Sequence, residues 1–498
     1  MVQIENLIEK TPSFKQITAD LQPKNHQLIT GISGSARTEL LSALSKEGQQ
    51  PILVVTDTIS HMQELASDLE NLLPANRVYQ FPVEEVLAAE VATSSPNYRL
   101  QRVLALNALI NREPTVVVAS AAGLRRNIIS PEYFAQSSLK IKTGGEVDPA
   151  KIRQQLSAMG YQYQKMVLRP GDFAIRGSII DIYALNTDNP VRIDLFDTEV
   201  DSLRYFDAST QRSIDNVEEV QILPATDFII PATEFSRVYE ALDTEYKKVV
   251  KELSADDADI KQQVANRFEP LLNALKNQHL PNELLEFSNL VYPAKHSLFD
   301  YLPDDGTIYF DDLTRIKQFA KQMTQEDVGW FKDKVAHHQL TDVPDLSNDV
   351  STIIKKDLHP QIYGALFKKG LGNIKLSQIT DLKSRTMQRF FGQMPLLKAE
   401  LQRWIDQGQT VVLMANSPER RKQIAQTLAD FDITATETEL TNIKPNVVQI
   451  VAANLNNGFE MPLAGLVVIT ESEMFKQVKK VHHRPQKLAN AERLKNYT

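Results

Sequence analysis

Residues 169–206 read RPGDFAIRGSIIDIYALNTDNPVRIDLFDTEVDSLRYF. Runs of β-branched and aromatic residues alternate there with turn chemistry: Pro170-Gly171, then Asn186 to Pro190, then Asp197-Thr198-Glu199. That alternation predicts an antiparallel meander. Successive side chains on a strand point to opposite faces. Val191, Ile193 and Leu195 therefore share the core face, while Arg192, Asp194 and Phe196 share the other. Arg176 takes the polar parity of its own strand, opposite Phe173 and Ile175. Arginine beside an exposed aromatic on a rigid sheet is the composition of a protein-binding hot spot. The periodicity fits equally well a Phe196 that packs beneath a neighbouring helix or domain, because half-exposed aromatics are common.

Outward from this meander the pattern changes in both directions. Just before it, Asp148-Pro149 has the form of an N-cap and first-turn proline, Ile152, Leu156 and Met159 form an apolar stripe, and Gly160 suits a C-terminal cap. Helix and meander, the latter ending near Val217 to Leu223, make a small α+β unit. Upstream, apolar strands alternate with amphipathic helices: HQLITGI at 26–32, Ile52 to Thr56, a helix Ile59 to Leu73 stopped by Pro74, Val78 to Phe81, a helix Tyr98 to Asn111, and TVVVAS at 115–120. Solid apolar strands in a βα alternation predict a parallel α/β sheet. Downstream, residues 233–276 read as charged helical surface, with a cluster at Asp256-Asp257-Ala258-Asp259, and Thr307 to Phe310 as a further strand. A second α/β run follows: helix Leu396 to Trp404, strand Thr410 to Met414, helix Pro418 to Leu428, and strands Val447 to Ala452 and Leu466 to Thr470.

A chain of 498 residues allows three or four domains, and its 42% hydrophobic and 24% charged content suits globular folding. The net charge of -8 argues against a nucleic-acid-binding surface along the whole chain. With no cysteine, disulfides and thiolate metal sites are excluded, and a reducing cytoplasm fits. No apolar run approaches the ~20 residues of a membrane span, and the first residues carry no secretory signal pattern. The expectation is a cytoplasmic protein. The tail from 476 to 498 is basic, with Lys479, Lys480, His482, His483 and Arg484 clustered. It reads as a linker toward a further domain rather than as a metal site.

Two stretches touch phosphate chemistry. Gly31-Ile-Ser-Gly-Ser-Ala-Arg-Thr38 lies between a strand and a helix, the context of a phosphate-binding loop. Ala36 and Arg37 stand where that loop needs glycine and lysine. A Cβ obstructs the backbone's approach to phosphate, and a guanidinium does not replace the compact ammonium. Gly31, Gly34 and Thr38 remain, the last as a candidate magnesium ligand. Asp311-Asp312 ends the strand Thr307 to Phe310, where paired acids hold magnesium in nucleotide hydrolases. The same pair suits a helix N-cap and first-turn acid. A third candidate is a DNA-binding surface using the tail or Arg99, Arg102, Arg125 and Arg126.

Four of these stretches, in order, resemble one family. Leu28 to Thr38 resembles the nucleotide loop of the UvrB excision-repair helicase, and PILVVTDTISHMQELASDL its next helicase motif. RPGDFAIRGSIIDIY resembles the segment before its UvrA-binding surface, and LFDYLPDDGTIYFDD the strand bearing its acids. The loop lysine is missing, and Phe81 to Tyr98 is too short for UvrB's DNA-clamping hairpin. That pattern of losses resembles the transcription-repair-coupling factors, Mfd, from about residue 20 onward. The resemblance implies a degenerate P-loop, RecA-like parallel sheet domain split by an inserted α+β domain and followed by a small α/β domain. Its parts would be 1–126, the insert 127–229, 230–390, the small domain 391–475 and the linker 476–498. It further implies that the insert binds UvrA through Arg176, Arg192 and Phe196, without cofactor, metal or catalysis in this chain. RNA polymerase and DNA would be engaged by parts outside it, and a C-terminal domain would mask the UvrA surface. The competing expectation is a UvrB-like ATPase with an atypical loop.

Overall fold

A computed structural model describes residues 4–74, 76–93, 95–254, 257–368 and 370–475. The basic tail, and Asp256 of the acidic cluster, therefore lie outside the described residues.

The largest sheet has seven strands, all parallel, in the order Gln378–Asp381, His26–Thr30, Gln361–Gly364, Thr307–Asp311, Ile52–Thr56, Val116–Ser120, Val78–Phe81. Its central strands are buried throughout because helices cover both faces, which is why they read as unbroken apolar runs. Helix Ile59–Leu72 shows how the local sequence sets an element. Thr58 caps its start by accepting from the His61 backbone N–H at 3.3 Å, Met62, Leu65 and Leu69 face the core, and Pro74 follows its end.

Four strands of this sheet precede the meander in sequence and three follow it. Between them the chain builds a second sheet, in the order Ser213–Val217, Glu199–Phe206, Val191–Phe196, Ile179–Ile182, Asp172–Arg176, Gln162–Tyr163. Every pair is antiparallel except the last. Helix Pro149–Ala158 lays Ile152 and Leu156 into one apolar cluster with Phe173, Ile180, Val191, Ile193 and Leu203 from that sheet. Asp148 caps this helix, accepting from Ala150 N–H at 2.9 Å, and Gly160 turns the chain at φ +87°. The end of the meander differs from expectation. Glu219–Ile222 leaves the sheet and pairs instead with Leu139–Lys142, closing the insert's beginning onto its end.

The third sheet orders Arg385–Thr386, Phe459–Met461, Leu466–Thr470, Thr410–Met414, Val448–Val451, Ala435–Thr438. Its Val412, Met414, Leu455 and Phe459 share a continuous apolar cluster with Ile29, Leu40 and Leu65 of the first domain.

A buried ionic cluster fastens the exit of the insert to the core. Asp227 Oδ1 accepts from Arg102 Nε at 2.9 Å and Asp227 Oδ2 lies 3.0 Å from Arg126 Nη2. Glu90 Oε1 meets the same two guanidiniums at 3.0 and 3.1 Å. Burial opposes the charge on Asp227, but Arg102 and Arg126 overcome it and hold its pKa below the ordinary carboxylate value. Removing one member leaves buried cations unpaired. Asp227→Ala is expected to destabilise the protein by about 3–5 kcal/mol in denaturant titrations.

Candidate functional site

The inserted sheet has an apolar face and a charged one, and the charged face is organised by Asp181. In the cross-strand register Asp181 stands opposite Arg192 on one side and Ala174 on the other. Its carboxylate is 1% exposed. Oδ1 accepts from Arg192 Nε at 2.7 Å and Oδ2 from Arg192 Nη2 at 2.9 Å, a bidentate fork. Oδ2 also accepts from Arg176 Nη2. Arg192 is further held by Gln211 Oε1 at 3.0 Å and by the Phe206 ring, 4.4 Å from its guanidinium carbon. The hydrogen bonds to Asp181 raise the Arg192 pKa above its ordinary value.

This arrangement divides the three residues singled out from the sequence. Phe196 is 78% exposed at the end of its strand, where Asp197, at φ +59°, begins the return turn. Arg176 is about half exposed and turns one edge of its guanidinium to solvent. Arg192 is different: 14% of its side chain is accessible, and its Nε and Nη2 are engaged by Asp181 and Gln211. Its guanidinium is fixed against the face, whereas Arg176 stands freer beside it. Beside them Arg204 pairs with Asp194 at 2.6 Å. Asp181 was missed in the sequence, although its place between Ile180 and Ile182 puts it on the polar parity.

The glycine loop is built as its spacing suggests, with Gly31 and Gly34 both at positive φ before helix Ala36–Gly48. What surrounds it is not open. Arg37 forms an ion pair with Asp311. Asp312 caps the next helix, accepting from Arg315 N–H at 3.3 Å, so of the two readings of the acid pair the cap holds for Asp312. Thr38 and Ala36 are fully buried. Arg315 and His61 in turn close on Asp57 at the carboxyl end of the neighbouring strand, at 2.7 and 2.5 Å. Among the described residues no three His, Asp or Glu side chains gather to hold a metal.

The small third domain covers the loop. Ser35 donates to Asp68 Oδ2 at 2.6 Å and accepts from the Asn457 N–H at 3.1 Å. Asp68 Oδ1 accepts from both the backbone and the side chain of Asn456, at 2.8 and 2.9 Å. A Cβ on Gly34 would lie 3.5 Å from the Asn457 side chain, so the two segments are in contact.

The arginines proposed as a DNA surface are internal. Arg102 and Arg126 belong to the buried cluster with Glu90 and Asp227, and Arg125 pairs with Asp327 at 2.6 Å. Their carboxylate partners lie far away in sequence, so a linear reading mistakes them for a surface. Arg99 and Arg126 keep partial exposure, and both line a cavity rather than a convex surface.

Comparison with known proteins bears on both regions. A family model described as the UvrB interaction domain matches residues 139–228, and one described as the MFD D3 domain matches residues 406–474. The transcription-repair-coupling factor of Bacillus subtilis (strain 168) is 35% identical over 505 residues, covering 100% of this chain. Those of Staphylococcus aureus (strain NCTC 8325 / PS 47) and Staphylococcus haemolyticus (strain JCSC1435) are 28% and 29% identical, over 100% and 99% of the chain. The chain belongs to the transcription-repair-coupling factor family. It spans 42% of the length of each of these relatives and aligns with their N-terminal part. Within this factor, the UvrB interaction domain contains the whole Asp181 cluster and Phe196. The D3 domain contributes Asn456 and Asn457, the residues seated on the glycine loop.

Two measurements separate structure from surface. Asp181→Ala leaves Arg192 without its counter-charge and is expected to cost about 3 kcal/mol in unfolding experiments, whereas Phe196→Ala should change stability by less than about 0.5 kcal/mol. Burial pushes the Asp68 pKa up to about 6 despite the donors that face it. A carboxyl group with a raised folded pKa favours the folded state while protonated, and that contribution fades as pH rises from the unfolded value of ~4. Stability should therefore decline across pH 4 to about 6 through this group, and Asp68→Asn should flatten that part of the pH–stability curve.

Proposed function

We propose that this chain is the recruitment module of its coupling factor, docking the excision-repair protein UvrA through the charged face of the inserted sheet. The observation that carries the reading is the pairing of a 78% exposed phenylalanine with a half-exposed arginine, both held on a rigid strand framework within the UvrB interaction domain. Phe196 supplies an apolar anchor, and Arg176 a charge-assisted hydrogen bond to a carboxylate on the partner. Arg192 and Asp181 keep Arg176 in register, so little side-chain entropy is lost on binding. RNA polymerase and DNA are engaged by parts of the factor outside this chain, and a C-terminal domain masks the docking face until the polymerase is bound.

The chain itself is taken to hydrolyse nothing. Arg37 neutralises Asp311, and the Asn456-Asn457 segment rests against Ser35 of the loop and Asp68. ATP and magnesium at millimolar concentration should give no binding heat.

Calorimetry with purified UvrA tests the docking reading. Phe196→Ala and Arg176→Ala are each expected to weaken binding by about 2 kcal/mol, roughly thirtyfold. The Arg176→Ala, Arg192→Ala, Phe196→Ala variant should not bind. Wild-type affinity in that variant, once shown to be folded, overturns the assignment.

A further inference from the structure

The buried cluster around Asp227 borders a cavity of about 240 Å³ between the insert and the core. Arg99 and Arg102, one turn apart on helix Pro96–Ile110, and Arg126 supply one wall. Gly160 and Thr226 from the insert, and Asn282 from the core, supply others. The ion pairs here leave one arginine out. Glu90 and Asp227 are both engaged by Arg102 and Arg126, at 2.9 to 3.1 Å. Arg99 is left without an ion pair of its own, although Asp227 and Glu90 act on it at longer range. It forms no ion pair among the described residues, and its Nε is closed off from solvent without a hydrogen-bond partner. A buried N–H donor with no partner is costly to keep in a folded protein. Burial lowers the Arg99 pKa, with Arg102 adding to the effect and Asp227 and Glu90 opposing it. Arg102 also donates from Nη1 to the Pro82 carbonyl at 2.9 Å; each guanidinium carries five N–H groups, so Arg102 and Arg126 still retain donors beyond these contacts.

We propose that this cavity binds a small oxyanion, namely a phosphate or diphosphate group of a small molecule, with Arg99 as its principal ligand and Arg102 and Arg126 as flanking donors. The planar fork of arginine suits two oxygens of such a group. The volume falls below that of cavities for drug-sized ligands, which limits the ligand to a compact anion. Because Gly160 and Thr226 belong to the insert while Arg99 and Asn282 belong to the core, an occupant bridges the two units. It would fix the insert against the body that carries it.

The test is calorimetry of the whole chain with inorganic phosphate and with pyrophosphate, against chloride at matched ionic strength. Saturable binding is expected for at least one of the two oxyanions. Arg99→Gln should weaken it at least tenfold, and Arg99→Lys, which keeps the charge without the fork, should fall between. Asn282→Ala on the facing wall gives a second variant should Arg99→Gln fail to fold, and it too should weaken binding. Phe196→Ala should leave phosphate binding unchanged, so this result and the UvrA result are independent. Absence of saturable heat up to about 10 mM, a range that detects millimolar affinity, overturns the proposal. So does equal phosphate affinity in folded Arg99→Gln.

Discussion

The pairing of Thr307–Asp311 with Ile52–Thr56 is the constraint on which the rest of the molecule depends. These two strands are neighbours at the middle of the parallel sheet, yet the entire insert separates them in sequence. Parallel neighbours require a crossover, and here that crossover carries a folded domain of its own. The core sheet cannot close until the chain returns, and the insert must leave and re-enter at one place. The two-stranded pairing of Leu139–Lys142 with Glu219–Ile222 meets that requirement by joining the insert's ends. The buried Arg102–Asp227 contact then ties the exit to the core.

Much of this was legible in the sequence, because burial leaves periodic traces. The unbroken apolar strands announced a parallel sheet covered on both sides. The alternation in Val191–Phe196 assigned each residue to the face it occupies, with Val191, Ile193 and Leu195 buried and Phe196 exposed. Cross-strand partnership was not legible. Asp181 meets Arg192 only because of register between separate strands, and one sequence contains no statement of register. The same gap explains the arginines at 102, 125 and 126. Their neutralising carboxylates at 90, 227 and 327 arrive through tertiary structure, so what read as a basic surface is an internal network. Asp312 was ambiguous for a local reason: helix caps and metal-binding acids use the same residue type at the same end of a strand.

The two charged assemblies show how burial assigns different tasks to one side-chain chemistry. Arg192 is stacked, bidentate and enclosed, and its effect is to hold geometry. Arg176, sharing the same carboxylate, remains accessible on one edge. Aligning one guanidinium with another through a common acid produces a surface that is charged but not floppy, on which an aromatic ring can protrude without collapsing onto its neighbours. Sheet scaffolds achieve this more readily than loops because both backbone ladders and side-chain bonds restrain each residue.

The contact between Asn456-Asn457 and the glycine loop also bears on how this architecture can change over evolutionary time. A lysine at 37 and a glycine at 36 would bring the loop nearer to a nucleotide-binding sequence, but the D3 segment would still rest on it, and Asp68 would still be bonded to Asn456. Opening the loop would involve two domains whose apolar surfaces are merged. Substitutions in the loop therefore act first on a contact between two domains, which couples the loop's sequence to that of the segment resting on it.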